Sequence, residues 1–161
     1  MTSDIDNFLK PLECIFGKFE KIRKIPIGNI NDTFLVTLKD NNKRLIIHRM
    51  KPGIFNLNAL EANFKEFESF RRHNEALKEI TPFYLRVKGN FIFEVNENAY
   101  KAAPVIERGK TIQATSNQEV VFLAAKTLSA FHREITKVSA RRFKIVLKNF
   151  FNPKLRLTQL K

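Results

Sequence analysis

The sequence predicts an α+β chain, an antiparallel sheet of about five strands with a helix packed on it, followed by further helices. Two observations carry this reading. Apolar residues change period along the chain, recurring at helical spacing from Leu57 to about Leu77 but forming a short strand-like run in "TFLVTL". Short clusters rich in Asn, Asp and Gly separate the apolar runs, as in "GNIND" and "KDNNK". The resulting order is helix, three strands, helix, two or three strands, helix.

Each element has its own signal. Ile5, Phe8, Leu9, Leu12, Ile15 and Phe16 recur at helical spacing and open the chain with a short helix, which Pro11 ends or kinks. "KIRKIPI", the "GNIND" turn and "TFLVTL" give two strands. "KDNNK" turns the chain into "RLIIHRM", a third strand so apolar that it belongs in the middle of its sheet. After the "KPGIFN" loop, Leu57, Leu60, Phe64, Phe67 and Phe70 mark one helix face, with Asn58 and Glu61 spaced as a capping box. "PFYLRV", "KGN" and "FIFEV" read as a hairpin. "AYKAAPVIE" is a further extended run that leaves the sheet at Pro104. Ser116 and Glu119 form a second capping-box pattern before a helix with Val120, Leu123, Ala124, Leu128, Phe131 and Ile135 on one face.

Bulk properties bound the function. With 161 residues, 43% hydrophobic and 28% charged, the chain is long enough for one core of its own. No apolar run reaches the roughly 18 residues of a membrane span, and "MTSDIDNFLK" lacks the basic-then-apolar pattern of a secretory signal. The single cysteine, Cys14, excludes an internal disulfide and is expected to be buried and inert; a cytoplasmic location fits. One cysteine and three scattered histidines give no metal-ligand spacing, and no G-x-S-x-G elbow is present. The net charge is 29 − 16 = +13. From Arg133 onward nine Lys or Arg face one acid, so the tail carries +8 and the preceding 132 residues only +5. The interleaved "SARRFKIVLKNFF" suggests a basic nucleic-acid-binding or non-catalytic interaction domain as an alternative, but no helix-turn-helix, zinc or RNP signature accompanies it.

The loop in "IPIGNINDTFLV" is the most informative stretch. A glycine between two strands lets backbone N–H groups approach a ligand and form an anion-binding nest. "IGNINDTFLV", "LIIHRMKPGIFNLNALEANF", "AYKAAPVIERGKTI" and "AAKTLSAFHREI" follow in that order. The set resembles the N-terminal half of the aminoglycoside phosphotransferase and choline kinase-like family, closest to its N-acetylhexosamine kinase branch, from about Phe16 to the C-terminus. The resemblance implies a protein kinase-like fold, with a nucleotide-binding lobe over residues 1–107 and the hinge and first helices of an incomplete second lobe over 108–161.

It also implies site residues. Gly28, Asn29, Asn31 and Thr33 match the family's phosphate-covering loop, with Asp32 helping to shape the turn. His48 and Arg49 face opposite ways along their strand. Lining up "HRM" with the family's "QRI" makes Arg49 the cation for the phosphates, a role that suits its permanent charge, and leaves His48 to pack or hydrogen-bond locally. Glu61 is the candidate partner of that cation, and Asn63 matches a family asparagine. Pro104, Val105 and Ile106 are the hinge candidates, with Val36, Ile47 and Ile106 around an adenine. His132 is expected in the core or as a cation at the helix end.

The implied ligand is ATP, with magnesium only if a second lobe is supplied. The implied activity is phosphorylation of a small molecule, most simply a sugar. The family's H-G-D-x-x-x-x-N catalytic loop and its second acidic motif do not occur in these 161 residues. The expectation is therefore a catalytically incomplete chain: a truncated remnant, half of a split enzyme with a separately encoded second lobe, or a free-standing module. Exposed helix faces and self-association are expected with it.

Overall fold

The computed structural model describes residues 7–26, 30–109, 112 and 114–147. A 3₁₀ turn, Lys10–Leu12, leads into the single-turn helix α1, Glu13–Phe16. Three strands follow, β1 Phe19–Ile25, β2 Asn31–Leu38 and β3 Arg44–Met50. Next come helices α2 Leu57–Arg71 and α3 Glu75–Ile80, strands β4 Phe93–Val95 and β5 Asn98–Pro104, helix α4 Gln118–Ile135 and a 3₁₀ turn, Ala140–Arg142. The protein is α+β, with a five-stranded antiparallel sheet in the order β1-β2-β3-β5-β4. Its middle strand is the apolar β3.

The turns follow local chemistry. The Leu38 N–H donates to the Lys43 carbonyl at 2.8 Å across the Asn-rich turn, and Asn42 takes a left-handed φ of 55°, a conformation asparagine tolerates. Between β4 and β5 the turn residues Asn96 and Glu97 both have positive φ, 49° and 63°, as a two-residue hairpin of type I′ requires. This hairpin replaces the one expected from "PFYLRV" and "FIFEV". Residues 82–86 form no strand; Leu85 contributes one bond to the Ala102 carbonyl, and Val87 bridges Asn90.

Both capping boxes are corrected by a short shift. Asn56, not Asn58, caps α2, its side chain accepting from the Ala59 N–H at 3.0 Å. Asn117, not Ser116, caps α4, accepting from Glu119 and Val120. Asparagine is as good a cap as serine. The long helix expected to reach Leu77 ends at Arg71, because Asn74 caps a new helix through the Leu77 N–H.

The sheet has one sealed face. Phe34, Val36, Leu38, Leu45, Ile47, Phe93, Tyr100 and Ala102 pack there with Leu9 and Leu12, both fully buried. The Tyr100 hydroxyl donates to the Phe8 carbonyl at 2.8 Å and ties the N-terminal segment to β5. The opposite face carries α2, whose Phe64 ring lies 4.9 Å from Tyr84 and 5.8 Å from Phe91. Helix α4 leans on α2 and α3 through Phe131 against Phe67 and Glu134 against Asn74. It leaves Val121, Phe122, Leu123 and Leu128 at least half exposed. Among the described residues no helix is long and apolar enough to cross a membrane.

Candidate functional site at the end of the fifth strand

Strand pairing sorts the candidate residues by face, because directly paired residues share a side of the sheet. One cross-strand row runs Ile25, Thr33, His48, Lys101, and the next runs Arg23, Leu35, Ile46, Ala103. The alternate rows run Lys24, Phe34, Ile47, Ala102 and Asp32, Arg49, Tyr100. The alternate rows face the sealed core. The first two face the other way, and where β5 ends they meet a cavity.

That cavity, of about 380 Å³, is lined by Ile46, His48, Pro82, Tyr84, Ala103, Pro104, Val105, Ile106 and Gly109. Its size suits a small ligand. The strand-end residues and Pro82 make it largely apolar, and His48 and Tyr84 bring polar atoms. Thr33 Oγ1 and His48 Nδ1 are 3.0 Å apart. Burial, with the Lys101 charge added, pushes His48 down to about 4, so its ring is neutral at pH 7. Lys101 lies beside His48 on β5; its Nζ is 3.3 Å from the Tyr84 hydroxyl and 4.6 Å from the centre of that ring.

The three hinge candidates, Pro104, Val105 and Ile106, are thus together at one cavity. Val105 still donates to the Arg44 carbonyl at 3.1 Å, and Ile106 is 70% exposed. Thr33 stands next to His48 on the cavity side. Asn31 begins the same strand, and its Oδ1 is buried without a hydrogen-bond partner among the described residues. Gly28 and Asn29 lie outside the described residues.

Arg49 is not brought to this cavity. It faces the sealed side, where Nε and Nη2 donate to Asp32 Oδ2 at 3.1 and 2.5 Å and its guanidinium lies 3.6 Å from the Phe8 ring centre. Lys24 holds the other Asp32 oxygen at 2.9 Å. Burial alone would raise the Asp32 pKa, but the hydrogen bonds and charges of Arg49 and Lys24 outweigh it and hold the carboxyl below its ordinary value. The physical reason is the N-terminal segment, which takes that side of the sheet and leaves Arg49 an ion pair in the wall. Val36 and Ile47, both fully buried in the same core, are corrected with it; the cavity-side residue is Ile46.

Glu61 is also corrected. It does not reach Arg49; its carboxylate accepts from the Phe91 and Ile92 N–H groups, the shortest contact being 2.7 Å, and pairs with Lys65 at 3.2 Å. It fixes the loop before β4 to α2. Asn63 clamps the Lys144 backbone through both its amide atoms, at 2.7 and 2.8 Å. His132 is exposed in the last turn of α4 and not in the core. Cys14 is exposed, against expectation, and its thiol donates to the Pro11 carbonyl.

Ile46, Tyr84, Lys101 and Ala103 escaped sequence reasoning. The alternation of β3 was visible, but which of its sides is open depends on where Leu9 and Leu12 pack. That apolar N-terminal stretch was the available signal: a helix carrying it must cover one sheet face. In comparison with known proteins, no family model matches the chain and no curated protein matches it.

Proposed function

We propose that this chain forms the nucleotide-binding lobe of an ATP-dependent small-molecule phosphotransferase of the aminoglycoside phosphotransferase and choline kinase-like kind. The observation that carries the reading is the cavity at the end of β5, where an apolar slot between Ile46, Ala103 and Ile106 abuts backbone leaving the sheet at Pro104. The Val105 N–H is held by the Arg44 carbonyl, so the backbone groups that could meet the edge of a heteroaromatic ring are the Pro104 carbonyl and the Ile106 N–H. The element order supports it: three antiparallel strands, a helix, then a hairpin whose last strand pairs with the third. The ordered motifs from "IGNINDTFLV" to "AAKTLSAFHREI" support it independently.

The described residues do not fit a magnesium site: no group of three His, Cys, Asp or Glu side chains among them could hold a metal ion. We assign them nucleotide contact and not phosphoryl transfer, which depends on positioned metal ions and carboxylates. A sugar or amino-alcohol acceptor, its catalytic base and the metal ligands belong in this reading to a further lobe.

Calorimetric titration of the chain with adenosine and ATP tests the proposal. Weak but saturable binding is expected, lost in Ile106→Glu, where an exposed change places a carboxylate at the slot without disturbing the core. A folded sample that takes neither ligand would sink the reading.

A further inference from the structure

We infer that Lys101 is the cation of this cavity, and that the ligand carries an anionic, phosphate-like group placed against Lys101 and Tyr84. The inference rests on the nucleotide reading for the rest of that ligand and moves its anchoring charge from β3 to β5.

Three observations lead here. The first is position: Lys101 is the direct cross-strand neighbour of His48, and its Nζ is 3.3 Å from the hydroxyl of Tyr84. Both neighbours line the cavity. The four-carbon stem lets the ammonium swing towards a ligand while its methylenes stay on the strand.

The second is charge balance. Of the other sheet cations, Lys24 and Arg49 share Asp32 and Arg44 holds Glu107, while Lys21 and Arg23 on the edge strand are exposed to solvent. Among the described residues Lys101 has no carboxylate partner. Its partners are the Tyr84 hydroxyl and the faces of Tyr84 and Phe64, with Nζ 4.6 and 5.4 Å from the ring centres. Aromatic faces hold an ammonium modestly, and a partly buried charge without a counter-ion is costly. A ligand anion would complete the site.

The third is the state of the neighbour. His48 is neutral, held so by burial and by Lys101 itself. It offers the cavity a hydrogen-bonding ring nitrogen and no second charge, so at neutral pH the ammonium is the attraction for an anion. Arg49 is not a competitor, because its guanidinium already engages Asp32 and the Phe8 ring on the far side of the sheet.

The test titrates adenosine, ATP and inorganic tripolyphosphate into the whole chain and into Lys101→Met and Lys101→Arg. Circular dichroism verifies that each variant folds. The expected result for Lys101→Met is about a tenfold or greater loss of ATP and tripolyphosphate affinity, as befits a charge-assisted bond, with adenosine unchanged. Lys101→Arg retains most of the anion affinity. Tripolyphosphate binding that Lys101→Met abolishes, in a chain that ignores adenosine, would support the anion site while removing the nucleotide reading. A folded Lys101→Met that binds ATP and tripolyphosphate like the unaltered chain would overturn the inference, and so would an unaltered chain that binds none of the three.

Discussion

At the scale of single residues, His48 and Arg49 show how one position along a strand decides a role. They are consecutive, yet one borders a cavity and the other stacks on Phe8 behind the sheet. Their titration follows from place. His48 is depressed from 6.5 to about 4, so between those values the unfolded chain binds a proton that the folded chain refuses. Stability is therefore highest above pH 6.5, falls as pH drops towards 4, and levels off below. Asp32 acts in the same direction: its stabilisation is present above the ordinary carboxylate value and is lost as pH falls through its lower folded value. An NMR titration should show the His48 ring still unprotonated at pH 5.5. A His48 midpoint near 6.5 would contradict this environment. The contrast between the two neighbours was legible as alternation. The assignment of sides was not, because it depends on a segment some 40 residues earlier that claims one face.

At the scale of elements, the sequence carried most of the architecture. The apolar "RLIIHRM" became the central strand, "KDNNK" became a tight turn, and β5 left the sheet at Pro104 as its ring dictates. The misplacements share a cause. Asparagine precedes each of the three helices α2, α3 and α4, and its side chain caps without the Ser/Thr–x–x–Glu signature that pattern reading favours. "PFYLRV" has strand composition, but its contact with the sheet is the single Leu85 bond to the Ala102 carbonyl; the segment stays irregular and packs Tyr84 against α2. The N-terminal 3₁₀ turn carries unusual weight for its length, because Leu12 is fully buried under the sheet. Leu12→Ala should lower unfolding free energy by about 2–5 kcal/mol in a denaturant titration. A loss below about 1 kcal/mol would mean that the segment does not seal that face.

At the scale of the whole molecule, the charge excess and the exposed apolar surface lie in the same part of the chain. Phe122 is 65% and Leu128 57% exposed on α4, and the basic residues from Arg133 onward follow directly. Apolar surface of this kind promotes association, whereas like charge opposes it. Raising the salt concentration removes the opposition, so light scattering should show association growing with salt. A Phe122→Ser, Leu128→Ser double variant should suppress that growth and keep its thermal midpoint. A variant that associates as readily would place the sticky surface elsewhere. The helix itself was legible from its period. Its expected apolar face is covered only in part, Phe131 meeting Phe67 while Leu128 stays exposed, and Phe122 is exposed off that face; amphipathic spacing says which side is apolar but not what meets it.

The pairing of β3 with β5, and not with β4, has a consequence for the order in which the chain can assemble. The hairpins β1–β2 and β2–β3 can close as soon as they leave the ribosome, but the free edge of β3 has no partner until residue 104 is made. The Tyr100 hydroxyl meets the Phe8 carbonyl across a sequence gap of 92 residues, so the N-terminal segment waits equally long for its anchor. Until then a nascent chain shows an unpaired apolar strand edge, the kind of surface that recruits chaperones and seeds aggregates. One late strand thus closes both the sheet and the core, and the fold becomes cooperative only when it arrives.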